Sequence, residues 1–337
     1  MKSSEEKTLK VAVVGLGKMG LLHACILNVL PQVRIAALCE KSKVMRAISK
    51  RIFNDVELTD DVEKLANLDL DAVYVTTPIS SHYPIVRTLL SKKIVKNLFV
   101  EKTLASSYRE ANELCNLSES FGQTDMVGYM KRFTVTFRKA KDLLDQEALG
   151  NLVSFDAYAY SSDFAEARKG SMMSRSRGGV LGDLGSHVVD LALWFFGDFQ
   201  VDSVELETMN DHGLEDCANF QVRNLNDLQG RFSVSWCMKE YHMPDFGLTI
   251  QGTRGKMKVD DDEVNLVLNG GESHKWYRHD LNDSVDFLLG APEYFREDEF
   301  FIKSVMEKSN TGPNFRTSAK VDDILDQVRY RASECIH

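Results

Sequence analysis

The sequence predicts an α/β chain of two domains. The first is a doubly wound parallel sheet, and the second an α+β domain with an open, mostly antiparallel sheet. Three observations carry this. An apolar run near the N-terminus ends in glycines spaced G-x-G-x-x-G, at Gly15, Gly17 and Gly20. Strand and helix signals then alternate as far as Tyr129, as right-handed βαβ crossovers require. From Leu152 onward, short strand-like runs follow one another with turn signals between them, which implies antiparallel pairing.

Length and composition agree. At 337 residues the chain is long for one core and natural for two domains, and 43% hydrophobic residues can bury a substantial interior. Lys and Arg number 41 against 50 Asp and Glu, a net charge of −9, with no basic block and no aromatic–basic interleaving. Nucleic acid is therefore not an expected partner. Met1 to Lys10 is charged and lacks the apolar core of a signal peptide. No apolar run approaches the ~20 residues of a membrane span. The cysteines at 25, 39, 115, 217, 237 and 335 are scattered without a C-x-x-C pair. They read as reduced thiols of a cytoplasmic protein.

The elements follow in order. Val11 to Val14 is a buried strand, and Leu21 to Leu30 a helix stopped by Pro31. In the turn between them, Gly15 permits the tight bend, Gly17 lets backbone approach a pyrophosphate, and Gly20 lets helix pack on strand. Lys18 and Met19 open the helix, whose N-terminal N–H groups face the phosphates. Val33 to Cys39 is the second strand and ends in Glu40, 20 residues beyond Gly20. An acid there accepts hydrogen bonds from an adenosine ribose and opposes the extra phosphate of NADP, so NAD is expected, with NADP possible. Lys41, Lys43 and Arg46 weigh against that preference. Helices at Ser42 to Ile52, Asp60 to Ala66, Ser81 to Lys92 and Ser106 to Phe121 alternate with strands near Val56, Ala72 to Val75, Leu98 to Val100 and Asp125 to Tyr129. Ligands of such sheets bind beyond the carboxyl ends of the strands. Thr76, Thr77, Pro78, Glu101, Lys102 and Tyr129 all stand there. His23 and His82 are expected as helix-face histidines, His82 within reach of the cofactor.

The pattern changes near Lys131, which divides a dinucleotide-binding domain (1–131) from a substrate-binding domain (132–337). Thr134 to Leu149 is amphipathic. Strands are expected at 153–160, 201–208, 218–222, 231–237, 248–251, 256–259 and 264–268. Helices are expected from Gly182 to Phe196, Glu293 to Lys308 and Thr317 to Ser333. If the first of these is helical from Gly182, Asp183, His187 and Asp190 share one face. A carboxylate one turn from an imidazole can orient it and raise its basicity, as a general base needs, or the pair can simply cap the helix. Adjacent glycines at a helix start are costly unless backbone or ligand must come close. No cluster has the three or four ligands of a zinc site, so no metal is expected. Arg168, Lys169, Arg175 and Arg177 make the loop before this helix cationic, as a solvated lid or as a site for an anionic substrate.

Several of these residues, in order, make the chain similar to the glucose–fructose oxidoreductase/inositol dehydrogenase/rhizopine-catabolism (Gfo/Idh/MocA) family. They are Gly15-x-Gly17-x-x-Gly20 with His23, Thr76-Thr77-Pro78 with His82, Glu101-Lys102, Gly128-Tyr129 with Arg132, and Gly178-Gly179-x-Leu181-x-Asp183-x-Gly185-x-His187-x-x-Asp190. The resemblance spans nearly the whole chain, and the last motif is the specific one. It implies a Rossmann domain and an open-faced sheet domain that mediates dimers or tetramers. It also implies NAD(P)-dependent oxidation or reduction of a hydroxyl or carbonyl on a sugar, cyclitol or sugar derivative. Lys102 and His187 would then be the acid/base pair, assisted by Asp183. Where the family has Glu-Lys-Pro, this chain has Thr103. Proline permits a cis bond cheaply, whereas before threonine it costs about 3–4 kcal/mol, so the departure bears on where Lys102 points.

A secondary alcohol releases hydride only as its proton is removed. Neutral His187 suits that task, with Lys102 donating to the developing alkoxide. A buried Lys102 could instead be the base. Tyr129, Arg132 and Tyr160 are candidates to line the substrate pocket. An NAD-dependent glycosidase using transient oxidation would employ the same residues, and a dinucleotide sensor without turnover would keep the fold.

Overall fold

A computed structural model gives the structure, which describes residues 8–121, 124–165, 177–209, 214–283 and 291–334. The chain divides into two compact units. One comprises Met1–Gly128 with Tyr294–Ala319, the other Tyr129–Glu293 with Lys320–His337.

The first unit is built on β1 (Leu9–Val14), whose residues Val11 to Val13 are wholly buried because helices cover both faces of the sheet. α1 (Lys18–Val29), β2 (Val33–Cys39), α2 (Lys43–Ile52), β3 (Glu57–Thr59), β4 (Ala72–Val75), α3 (His82–Ser91), β5 (Asn97–Glu101), α4 (Tyr108–Phe121) and β6 (Asp125–Gly128) follow. Ser42 caps α2 by accepting the Met45 N–H at 3.3 Å. The six strands lie in the order β3-β2-β1-β4-β5-β6, parallel throughout. The order reverses between β1 and β4, which opens a crevice beyond their carboxyl ends. The stretch expected as a helix from Asp60 is a 3-10 turn at Val62–Asn67, started by Asp61, which accepts the Glu63 N–H at 2.9 Å.

In the second unit α5 (Val135–Asp145) precedes β7 (Leu152–Tyr160). A π-turn at Leu181–Gly185 then runs into α6 (Ser186–Phe196). The remaining strands are β8 (Phe199–Glu207), β9 (Cys217–Asn224), β10 (Gln229–Ser235), β11 (Asp245–Gly252), β12 (Gly255–Asp260), β13 (Glu263–Leu268) and β14 (Ser273–Tyr277). They form one eight-stranded sheet, β14-β13-β12-β11-β7-β10-β9-β8, antiparallel except where β7 meets β10. This is the mostly antiparallel sheet the sequence predicts, with one edge strand more. Alternation sorts β7: Phe155, Ala157 and Ala159 are buried, and Phe155 stacks on Phe196 of α6 at 4.4 Å. Asp156, Tyr158 and Tyr160 take the other face.

The sequence places a single boundary near Lys131. In the structure the division falls after Gly128, and Tyr294–Ala319 joins the first unit. These residues take in most of α7 (Pro292–Glu307) and the start of α8 (Phe315–Glu334). Phe301 of α7 meets the stacked rings of Tyr74 and Phe99 edge-on, at 5.4 and 5.7 Å. An amphipathic pattern shows that a helix buries one face, not which sheet it covers.

Candidate active-site residues in the two units

The glycine turn is closed by its own backbone. Gly15 has φ +92°, and a Cβ there would lie 2.6 Å from Thr77 Cγ2. A Cβ on Gly20 would lie 1.8 Å from the Gly15 carbonyl oxygen, so only glycine lets α1 start so close to β1. A Cβ on Gly17 would have open space around it. Gly17 is also the N-cap of α1, and no side chain caps the helix. Thr76 Oγ1 donates to the Gly15 carbonyl at 2.7 Å, which fixes the turn to the end of β4.

Beyond these strand ends lies a pocket of about 730 Å³, lined by Gly15, Gly17, Lys18, Met19, Glu40, Thr76, Thr77 and Pro78 among others. Glu40 is held across the turn. Its Oε2 accepts the Leu16 N–H at 2.7 Å and its Oε1 accepts the Ser42 N–H at 2.8 Å. Thr77 Oγ1 is buried without a hydrogen-bond partner. An uncapped helix start, open space over Gly17, an orphaned hydroxyl and an acid after the second strand fit a dinucleotide. Asp60 and Asp61 line the pocket as well. Neither is legible as a pocket residue from sequence, because the turn that brings them in follows an edge strand of three residues. Cys39 shares the wall, and burial, with the charges of Asp61 and Glu40, pushes its thiol up to about 11.

Glu101 and Lys102 end β5. Glu101 Oε2 accepts the Lys102 N–H at 3.0 Å, while its Oε1 lies 3.0 Å from His23 Nε2. His23 Nδ1 is 2.8 Å from Asp298. With a carboxylate on each ring nitrogen, both nitrogens donate and the imidazole is charged. Burial opposes that charge, but Asp298 and Glu101 outweigh it, so the pKa of His23 stands well above the usual value. Burial likewise pushes Glu101 up, and His23 and Lys102 more than reverse it, to below the usual value. His82, also fully buried, sits between the carbonyl oxygens of Thr103 and Thr77, 2.7 Å from each. Burial lowers its pKa, so the ring is neutral and donates to one of them. The Lys102–Thr103 peptide is cis. Neither His23 nor His82 is on the pocket wall.

In the second unit the glycines at 178 and 179 have φ +79° and +77°. What comes close is a carboxylate: a Cβ on Gly179 would lie 2.3 Å from Glu215 Oε1. That oxygen takes the Leu181 N–H at 3.4 Å, and Arg329 Nη2 bridges it, at 3.3 Å, to the Gly178 carbonyl, at 2.8 Å. Glu215 and Arg329 thus anchor the π-turn that carries Asp183. Nothing local in the sequence marks them except the glycine pair they require.

Asp183 Oδ2 accepts from Arg177 at 3.1 Å, and the same Arg177 nitrogen bonds Asp163 at 2.6 Å. The other cations of that loop, Arg168, Lys169 and Arg175, lie outside the described residues. His187 is 5% exposed, with the rings of Phe246 and Tyr129 edge-on at 5.3 and 6.2 Å. Asp190, fully buried, takes both arms of the Arg132 fork at 2.7 and 2.6 Å. Burial still holds the Asp190 carboxyl above its usual range against Arg132. Arg132, expected in the substrate pocket, is therefore engaged by Asp190. Tyr160 is on the sheet face away from α6, against Tyr158 and Tyr241 at 5.1 Å each. The structure brings the rings of Tyr129 and His187 together, sets Asp183 in the π-turn that leads into the helix of His187, and puts Tyr160 on the other face of the sheet.

Among the described residues no helix is long and apolar enough to cross a membrane.

Residues 9–129 match a family model described as an oxidoreductase family with an NAD-binding Rossmann fold. Residues 137–258 match the GFO/IDH/MocA C-terminal domain. An oxidoreductase of Schizosaccharomyces pombe is 28% identical over 278 residues, 79% of this chain and 74% of its own length. A scyllo-inositol 2-dehydrogenase (NAD(+)) of Bacillus subtilis is 24% identical over 212 residues, 62% of this chain but only 58% of the enzyme. Levoglucosan dehydrogenase, solved with NADH and L-sorbose, has the same fold, with a TM-score of 0.89 over 97% of both chains at 19% identity.

Proposed function

Since the chain belongs to the Gfo/Idh/MocA family of NAD-binding oxidoreductases, we propose that it is an NAD-dependent dehydrogenase or reductase of a sugar, cyclitol or sugar nucleotide. The observation that carries this is the glycine-walled pocket at the switch point of the parallel sheet, with Glu40 on its rim and the unpartnered Thr77 hydroxyl in its wall. The gap above Gly17 and the N-terminus of α1 would hold the pyrophosphate, and Glu40 the adenosine ribose. The nicotinamide, when bound, supplies the hydride acceptor or donor. In the oxidative direction His187 takes the proton of the substrate hydroxyl. Lys102 donates a hydrogen bond to that oxygen as negative charge develops on it. Asp183 orients the substrate and His187, and Tyr129 packs beside the imidazole. Arg132 has a positioning role: paired with Asp190, it fixes α6.

NAD is proposed over NADP because the Glu40 carboxylate, just past β2 on the pocket wall, would oppose the extra 2′-phosphate. The polar outer face of the eight-stranded sheet, with Asp156, Tyr158 and Arg231, is proposed as the surface for self-association. A cytoplasmic location goes with the scattered cysteines. The test is a fluorescence titration with NADH and, separately, NADPH, followed by a screen of sugars and cyclitols for net formation of NADH. Binding of NADH ahead of NADPH, with turnover of one such substrate, is the expected result. No binding of either dinucleotide overturns the reading.

A further inference from the structure

The acids at one end of this pocket carry a step that rests on the NAD reading. Asp60, just past β3, shares the wall with Glu40 and Lys41. Arg46, in the first turn of α2, turns its Nη1 onto the carbonyl oxygens of Glu40 and Lys41, the second at 2.9 Å. Its Nη2 lies 3.6 Å from Asp60 Oδ2, and the side chain is only 17% exposed. Asp61, next in the chain, is committed elsewhere, to the Glu63 N–H. The other cation near Asp60, Lys64, is 62% exposed. An arginine fork is the side chain that best matches a phosphate, and the end of the second strand is where the 2′-phosphate of NADP falls. Here the fork is folded onto acceptors of the chain itself.

We propose that Asp60 is a specificity-determining residue. It holds Arg46 against the backbone of Glu40 and Lys41, so that the arginine nearest the adenosine ribose is withheld from a 2′-phosphate. Preference for NAD is then set twice. Glu40 repels the phosphate, and Asp60 occupies the cation that would otherwise bind it.

The experiment compares the full-length protein with Asp60→Asn and with Asp60→Asn/Arg46→Ala, titrating each with NADH and with NADPH at one fixed ionic strength. Asp60 is 53% exposed, so the substitution leaves the core intact. Asp60→Asn is expected to lower the ratio of Kd for NADPH to Kd for NADH about tenfold, the scale of one freed charge-assisted contact. The double variant is expected to return that ratio to the wild-type value. An unchanged ratio in Asp60→Asn overturns the proposal, as does an equal fall in the double variant, which would leave Arg46 without a part. Either result with wild-type protein that binds NADH leaves the dinucleotide reading standing. A wild-type protein that binds neither nucleotide overturns that reading and this one with it.

Discussion

The backbone of Lys102 is tied to its neighbour Glu101 and, through it, to residues far away in sequence. Its N–H is fixed by Glu101, Glu101 by His23, and His23 by Asp298, 275 residues from His23. Lys102→Ala and His187→Ala are each expected to lower turnover by at least about 100-fold, the low end for a positioned proton-handling group. Near-normal steady-state rates in both would remove the assignment. His23 makes a separate prediction about pH. Tyr74, Phe99 and Tyr294 surround its ring, and Glu101 and Asp298 are the acids that face it. Its folded pKa is raised, so its contribution to stability is complete below about 6.5 and is lost as pH climbs through the folded value. The melting temperature of the wild type is expected to fall with pH above neutrality more steeply than that of His23→Gln. Parallel curves would count against a charged His23. Removing Arg132 tests a buried pair. Arg132→Ala leaves Asp190 buried without its cation, and a loss of about 3–5 kcal/mol is expected in urea denaturation. At this scale the positions of Glu40 past a strand end and of Asp183 four residues before His187 could be read from the sequence, because strand ends and helical spacing are local. The sequence could not show Asp298, Glu215 or Arg329, whose contacts span 275, 34 and 114 residues.

The element that differs most in kind from its sequence reading is the start of α6. Spacing predicts a helix from Gly182, and the structure has a π-turn over Leu181–Gly185 before regular α-helix begins at Ser186. A π-turn is wider than an α-turn and recurs at functional sites, and this one carries Asp183. Its entry depends on Gly179, which combines φ +77° with the Glu215 carboxylate against its α-carbon. Gly197 ends α6 at the same φ with nothing within 4 Å, so it is a built-in control. Gly197→Ala is expected to cost only the backbone strain, about 1–3 kcal/mol. Gly179→Ala is expected to cost more in thermal unfolding and to lower kcat besides, because Glu215 must move and the turn with it. Equal effects of the two substitutions would show that Glu215 does not hold the turn. Most other elements were legible because apolar periods of 2 and 3.6 survive in them. β14 was not. Its residues Ser273 to Tyr277 are mostly exposed on a sheet edge, so no alternation marks them.

For the whole molecule, the decisive fact is that the first unit is made from two stretches of chain. Its parallel sheet must be covered on both faces, and part of that cover comes from Tyr294–Ala319. Phe301 and Ile302 are almost completely buried and Val305 is 7% exposed. Side chains of this size contribute about 1.5–3 kcal/mol each on full burial. Three of them approach the whole net stability of a domain, about 5–15 kcal/mol. The same stretch supplies Asp298 to His23, the Phe315 N–H to Asp125 at 2.7 Å, and Arg316 to Glu119 and Asn112 of α4 at 2.9 and 2.7 Å. A chain cut at Lys131, where the change of sequence pattern would end the domain, therefore exposes Tyr74 and Phe99 and leaves a buried histidine short of one carboxylate. Such a fragment is expected to show no cooperative urea transition and no NADH binding. Joining Tyr294–Ala319 to Gly128 through a flexible linker is expected to restore both. A cooperative transition in the short fragment would mean that the returning helix is an accessory, and that the boundary near Lys131 is the true limit of the folding unit.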